Sequence, residues 1–135
     1  MEKGKRKCGE NISEQLLDLA VRIIKLVNTL PKTAVGKHVG GQLMRAGTSA
    51  GSNHEEACGA ESKADFVHKM GVVLKELKES CFWLQVIHRT ELLTPQRIEL
   101  LLQECEELCA IVAKNIITAK GKESKLINAK LAMSN

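Results

Sequence analysis

The sequence predicts an all-α protein, an antiparallel up-down-up-down four-helix bundle with basic N- and C-terminal tails. Three observations lead there. Four stretches carry apolar residues at helical spacing, and none shows the strict alternation of a half-buried strand. The only two prolines of the 135-residue chain, Pro31 and Pro95, fall at the boundaries of those stretches. Aromatics amount to 2% (Phe66, Phe82 and Trp83), a poor supply for a β-sandwich or for a base-stacking platform.

The first helix is expected over roughly 13–30. Asn11 and Glu14 stand in capping-box spacing, and Leu16, Ala20, Ile23, Ile24, Val27 and Leu30 form the inward stripe. Pro31 follows its end. The second, roughly 35–58, places Val39, Leu43, Met44, Ala46 and Ala50 on one side but also holds Gly36, Gly40, Gly41, Gly47 and Gly51. Each interior glycine disfavours a helix by roughly 0.5–1 kcal/mol relative to alanine, so packing must hold this segment, and close approach of a neighbouring backbone is the return. A glycine-rich loop over 36–41 followed by a shorter helix is the alternative.

Gly59 ends the second helix, and Ser62 with Asp65 three residues later opens the third, running to about Arg89. Its stripe is Phe66, Met70, Val73, Leu74, Leu77, Cys81, Leu84 and Ile87. Thr94-Pro95 supplies a cap and a first-turn proline for the fourth helix, with Ile98, Leu101, Leu102, Cys105, Leu108, Cys109, Val112 and Ile116 inward and Gly121 as its stop. The domain organisation is a basic tail over 1–12, the bundle over 13–119 and a basic tail over 120–135. For that last tail the weak apolar face of Leu126, Ile127 and Leu131 leaves both a frayed and a helical state open.

Length and composition fit one soluble globular domain, with 44% apolar and 27% charged residues. Disorder and a membrane span are excluded as a whole account. The net charge of +4 is unevenly placed. Residues 1–10 hold four Lys/Arg against two Glu and residues 114–135 five Lys against one Glu, while 11–53 carry a net +3 and 54–113 a net −5. Opposite charge in the two halves suits head-to-tail contact between copies, and equally describes two solvated faces. The basic residues Lys3, Lys5, Arg6, Lys7, Lys120, Lys122, Lys125 and Lys130 are candidates for non-specific, salt-sensitive contact with the phosphates of RNA or DNA.

Five cysteines, Cys8, Cys58, Cys81, Cys105 and Cys109, form no short paired framework, and with the absence of an apolar leader after the basic start they point to a reducing, cytoplasmic setting. Cys105 and Cys109 fall in the fourth helix's apolar stripe and read as core. His54 and Cys58 stand one turn apart, a spacing that two metal ligands use, but two ligands make no site, and a surface or subunit-contact role is the plainer reading. The chain contains no nucleophile elbow, no phosphate-binding loop and no His-Glu-x-x-His, its glutamates read as solvated, and His68 and His88 are too far apart to cooperate. No catalytic residue, cofactor or metal is therefore assigned, and the chain is expected not to be an enzyme; a metal-dependent bundle enzyme is the least favoured class.

The stretch QLMRAGTSAGSN from Gln42 to Asn53, with EEACGAESKADFVHKMGVVLKELKESCFWLQVI from Glu55 to Ile87, resembles the bacterial four helix bundle protein family, which includes proteins encoded by intervening sequences within 23S ribosomal RNA genes. The likeness spans roughly 14–120 and is most specific from Gln42 to Leu84. It implies a non-catalytic homo-oligomer, a ring-shaped homopentamer, of otherwise uncharacterised function. A related bundle, the accessory protein of diversity-generating retroelements, works with nucleic acid. The motif positions carried over are Arg45, Ser49, Asn53, Glu56, Asp65, Phe66, His68, Lys69 and Glu79, with roles in packing between the second and third helices and across subunits. This chain departs from the pattern at His54, where an aromatic is usual, and at Glu55, Gly59 and Glu61, where Arg is frequent, which weakens transfer of a nucleic-acid role. Trp83 is expected in a subunit interface or packed at the bundle end. The second functional reading is a protein-interaction adaptor or scaffold that binds a protein partner and no nucleic acid.

Overall fold

A computed structural model describes residues 8–133 of the chain; Lys3, Lys5, Arg6 and Lys7 lie outside the described residues, as do the side chains of Lys122, Leu126 and Ile127. Four helices follow one another, α1 (Glu10–Val27), α2 (Ala34–Cys58), α3 (Lys63–Arg89) and α4 (Pro95–Met133). Among the described residues there is no strand. Among the described residues each helix backbone lies close to its neighbours in sequence and that of α4 returns to α1, while the diagonal pairs α1–α3 and α2–α4 stand farther apart, so the four form a closed square. Connections of a few residues make consecutive helices antiparallel.

Local chemistry sets most of the boundaries. Thr33 caps α2, its Oγ1 accepting from the Gly36 amide at 3.1 Å. Ser62 does the same for α3, accepting from the Asp65 amide at 3.0 Å, with the Asp65 carboxylate in the first turn where the helix dipole favours it. The start of α1 departs from the expected capping box. Asn11 lies inside the helix, the cap is Gly9 in the left-handed region (φ 65°) with no side-chain bond, and the Ser13 amide donates to Gly9 O at 2.9 Å. The expected stop at Gly121 also fails. A Cβ there would meet nothing within 4 Å, and α4 continues for twelve more residues through good helix formers.

The core runs the length of the square. Leu16, Leu19 and Ile23 of α1 meet Leu43 and Ala50 of α2, Met70, Leu77 and Leu84 of α3, and Ile98, Cys105 and Val112 of α4. For α3 and α4 the expected stripes are the buried ones. On α1 the stripe is turned by about 50° from expectation at 100° per residue. Leu19 and Leu26 are buried, Ala20 and Val27 are only partly covered, and Leu17 (58% exposed), Val21 (42%) and Ile24 (39%) face outward. Met44 of α2 is likewise outside.

The glycine-rich segment is helix rather than loop, and it brings α1 and α2 together closely. A Cβ at Gly40 would stand 3.0 Å from Val27 Cγ1, and one at Gly47 would run into Ile23 Cδ1. At Gly36 a Cβ would collide with the backbone oxygen of Pro31, which has no flexible end to yield. Gly41, by contrast, faces open space. Urea unfolding should therefore separate the two. Gly36→Ala is expected to cost roughly 1–3 kcal/mol by overpacking, whereas Gly41→Ala gains roughly 0.5–1 kcal/mol from helix propensity.

Candidate functional site

Two groups of polar side chains stand out, one along the α2–α3 seam and one at the bundle end where α1 begins. In the seam, Arg45 of α2 reaches α3 and donates to Glu76 Oε2 at 3.3 Å, to Glu79 Oε2, and to Gln42 Oε1 of its own helix at 3.2 Å. The Trp83 indole donates to that same Glu79 Oε2 at 3.2 Å. One carboxylate oxygen thus fixes both a guanidinium and an indole. Trp83 then stands edge-on to His38 of α2 (ring centroids 5.9 Å) and to Phe82 (5.0 Å), whose ring is 55% exposed.

This seam gathers three of the motif residues, Arg45, Glu79 and Trp83, and adds Glu76, Gln42, His38 and Phe82, which the sequence reading left out. Glu76 corrects the expectation of uniformly solvated glutamates, because it is 8% exposed and its charge is met by Arg45. Its spacing of three residues before Glu79 was the available signal. Ser49 and Asn53 pair within α2, the Asn53 amide donating to Ser49 O at 2.8 Å. Asp65 and Lys69 form an i,i+4 ion pair at 2.8 Å, and Lys69 holds the Asp65 carboxyl below the ordinary carboxylate range. Glu56 and His68 are exposed, and Phe66 is partly buried at the bundle end. The motif is therefore a line of contacts along two helices, not one constellation.

The second group gathers around His54, which is 2% exposed rather than at the surface. Ser13 Oγ of α1 lies 3.1 Å from its Nδ1, and Cys58 Sγ lies 3.9 Å from the same atom. Gly9 closes the other side, a Cβ there standing 3.3 Å from Nε2. Burial lowers the His54 pKa below its usual value, with Glu55 partly opposing. Cys58 is bonded to Cys8 in a disulfide with Cα–Cα 5.4 Å. This corrects the expectation of unpaired cysteines. Fifty residues separate the partners, so no spacing pattern announces them. A pocket of about 560 Å³ opens here, lined by the disulfide, His54, Lys63, Phe66 and Asn115 among others.

The other three cysteines cluster between α3 and α4. Cys105 is fully buried with its thiol 3.5 Å from Leu77 O, and Cys81 and Cys109 bring their sulfurs to 3.9 Å. Hydrogen bonds from Cys105 and Cys81 pull the Cys109 pKa down against its burial, with Lys78 assisting. Elsewhere, Arg22 of α1 pairs with Glu104 of α4, and His88 Nε2 stands 3.5 Å from Glu99. Among the described residues no three His, Cys, Asp or Glu side chains are placed to hold a metal ion, and no helix is long and apolar enough to cross a membrane. Lys120, Lys125 and Lys130 are exposed on α4 beyond the bundle proper.

Comparison with known proteins bears on the whole of this arrangement. The family model described as 23S rRNA-intervening sequence protein matches residues 11–114. A crystal structure described as a protein of unknown function from the S23 ribosomal protein family of Bacteroides thetaiotaomicron superposes with a TM-score of 0.71 at 32% identity, covering 78% of this chain and 97% of the other. No functionally curated protein matches.

The His54 environment makes stability pH-dependent in a defined sense. The unfolded chain takes up the imidazole proton near pH 6.5 and the folded chain only at lower pH, so the unfolded state binds more protons in between. The melting temperature should fall as pH drops below about 6.5 and level off once the folded-state pKa is passed. His54→Gln should remove that portion of the fall; an unchanged profile in the variant would refute the assignment.

Proposed function

Because the chain belongs to the 23S rRNA-intervening sequence protein family, we propose that it is a non-catalytic bundle protein whose copies close into a homo-oligomer, a pentameric ring, in the cytoplasm, and that it binds nucleic acid without sequence preference. The observation that carries the reading is the second apolar stripe of α1. Leu17, Val21 and Ile24 remain exposed after the core is full, and they border an apolar groove of about 560 Å³ that includes Ala20, Thr48 and Gly51. A monomer gains nothing from such a surface, and a partner surface covers it.

A second, unlike patch supports a ring over a two-fold dimer. Phe82 and Trp83 sit on α3, held by Glu79, and are not part of the α1–α2 groove. Contact between unlike patches is heterologous, and a heterologous contact closes into a ring when its rotation allows. The non-catalytic reading rests on the burial of His54, whose pairing with Ser13 is sealed by Gly9 instead of presented to a substrate.

For nucleic acid the supporting feature is placement. With consecutive helices antiparallel, the C-terminal stretch of α4 leaves the bundle at the end where α1 begins, as the shared lining of Cys8, Gly9, Thr118 and Ala119 requires. Lys120, Lys125 and Lys130 therefore lie on α4 at and beyond the end where Cys8 stands. Exposed lysines so placed can contact a phosphate backbone, with Lys3, Lys5, Arg6 and Lys7 of the sequence as further candidates.

Light scattering coupled to gel filtration tests the assembly. The protein at tens of micromolar should elute as an oligomer, with a mass of five chains for the ring. Leu17→Glu with Val21→Glu should return it to monomer without lowering helix content; a wild-type monomer would overturn the reading.

Titration of a mixed-sequence RNA or duplex DNA tests the second part. Affinity should drop steeply between low and moderate salt, with a slope near −0.9 per phosphate neutralised on duplex DNA. Changing Lys120, Lys125 and Lys130 together with Lys3, Lys5, Arg6 and Lys7 to Gln should flatten it. Binding that is unchanged by those substitutions would reject the basic termini as the contact.

A further inference from the structure

We propose that the Cys8–Cys58 disulfide is a thiol-exchange site, at which Cys58 forms a mixed disulfide with a small thiol of the glutathione class. The site is open to such a reagent. Both cysteines are only partly buried, and they line the pocket of about 560 Å³ at the bundle end, which leaves room for the remainder of a peptide-sized thiol beside Phe66 and Asn115. The inference concerns a stoichiometric modification and stands whether or not the chain assembles or binds nucleic acid.

Geometry selects which sulfur is attacked. Cys8 occupies the left-handed region (φ 58°), a conformation that a residue with a Cβ rarely adopts, so its release relieves backbone strain. Cys58 is held in the last turn of α2, and a thiolate at the C-terminal end of a helix is disfavoured. The better leaving group is the faster one, so Cys8 departs and Cys58 is the sulfur attacked.

The chemistry closes in two displacements. A thiolate attacks Cys58 Sγ, a new S–S bond forms as the Cys8–Cys58 bond breaks, and the electron pair leaves on Cys8 Sγ, which takes up the proton shed by the incoming thiol. A second thiolate attacks the small thiol's own sulfur. Cys58 then leaves as a thiolate and takes up the proton shed by the second small thiol. The sum is one protein disulfide reduced to two thiols and two small thiols oxidised to their disulfide. The three thiols at the α3–α4 seam lack both the disulfide and the open pocket, and serve as an internal control.

The test uses the full chain, folded, with glutathione. The protein is equilibrated with reduced glutathione in the absence of denaturant, quenched in acid and mapped by mass spectrometry after alkylation. Cys8 and Cys58 should become alkylatable together, with a glutathione adduct found on Cys58 and not on Cys8. Cys8→Ser treated with oxidised glutathione should accumulate that adduct stoichiometrically, since no second cysteine resolves it. The wild-type mapping stands by itself should that variant fail to fold. Adducts confined to Cys81, Cys105 or Cys109, a disulfide that opens only when urea unfolds the bundle, or Cys8 and Cys58 found as free thiols after air oxidation would each overturn the proposal.

Discussion

The close seating of α1 on α2 is the constraint from which the rest of the molecule follows. Where Gly40 and Gly47 face Val27 and Ile23, a Cβ would collide or crowd, so the two helices approach more closely than ordinary side chains permit. That approach fixes the rotation of α1 about its own axis. Since α1 has apolar residues on two sides, rotation decides which set is buried. Leu16, Leu19, Ile23 and Leu26 go in, and Leu17, Val21 and Ile24 stay out. Helix propensity opposes a glycine-rich α2, each glycine by up to about 1 kcal/mol, and the buried apolar surface of the α1–α2 seam outweighs it at roughly 25 cal/mol per Å².

A second interaction ties the outer surface to the core. Glu76 is nearly buried, and a buried carboxylate without a partner is far more costly than the pair is favourable. Arg45 therefore has to lie across the α2–α3 seam, and once there it shares Glu79 with Trp83. The indole's orientation is in this way set by a charge inside the bundle. An indole held that firmly has little side-chain entropy left to lose.

The fold was largely legible in the sequence because its determinants are local. Ser62 with Asp65 and Thr94 with Pro95 mark helix starts by chemistry within four residues, and the stripes of α3 and α4 follow a single period. What was not legible is what depends on partners distant in sequence. The periodicity of α1 fits two stripes, and only the glycines of α2 choose between them. Gly9 displaced the Asn11–Glu14 box because its left-handed turn packs on His54, forty-five residues away. Gly121 carries the usual signature of a helix end, yet it faces open space and α4 runs on through good helix formers. Arg45 and Glu79 stand among the positions carried by the resemblance and Trp83 stands out as the lone tryptophan, but that Glu76 is the buried charge beside them needs three-dimensional burial to see.

The bundle end shows how the same residues can be structural and reactive. Ser13, His54 and Cys58 come from two helices, and Cys8 from the segment before the first, so their meeting requires the α1–α2 seating already described. His54 has Nδ1 turned toward Ser13 and Cys58 and Nε2 packed under Gly9. A cross-link closing a loop of about fifty residues constrains the unfolded chain by roughly 4 kcal/mol on the entropic model, so the bond adds to stability while it is closed. The thiol cluster of the α3–α4 seam and the Gly40 and Gly47 contacts of α2 on α1 lie outside the lining of this pocket. Exchange at Cys58 is thus a change at the bundle end.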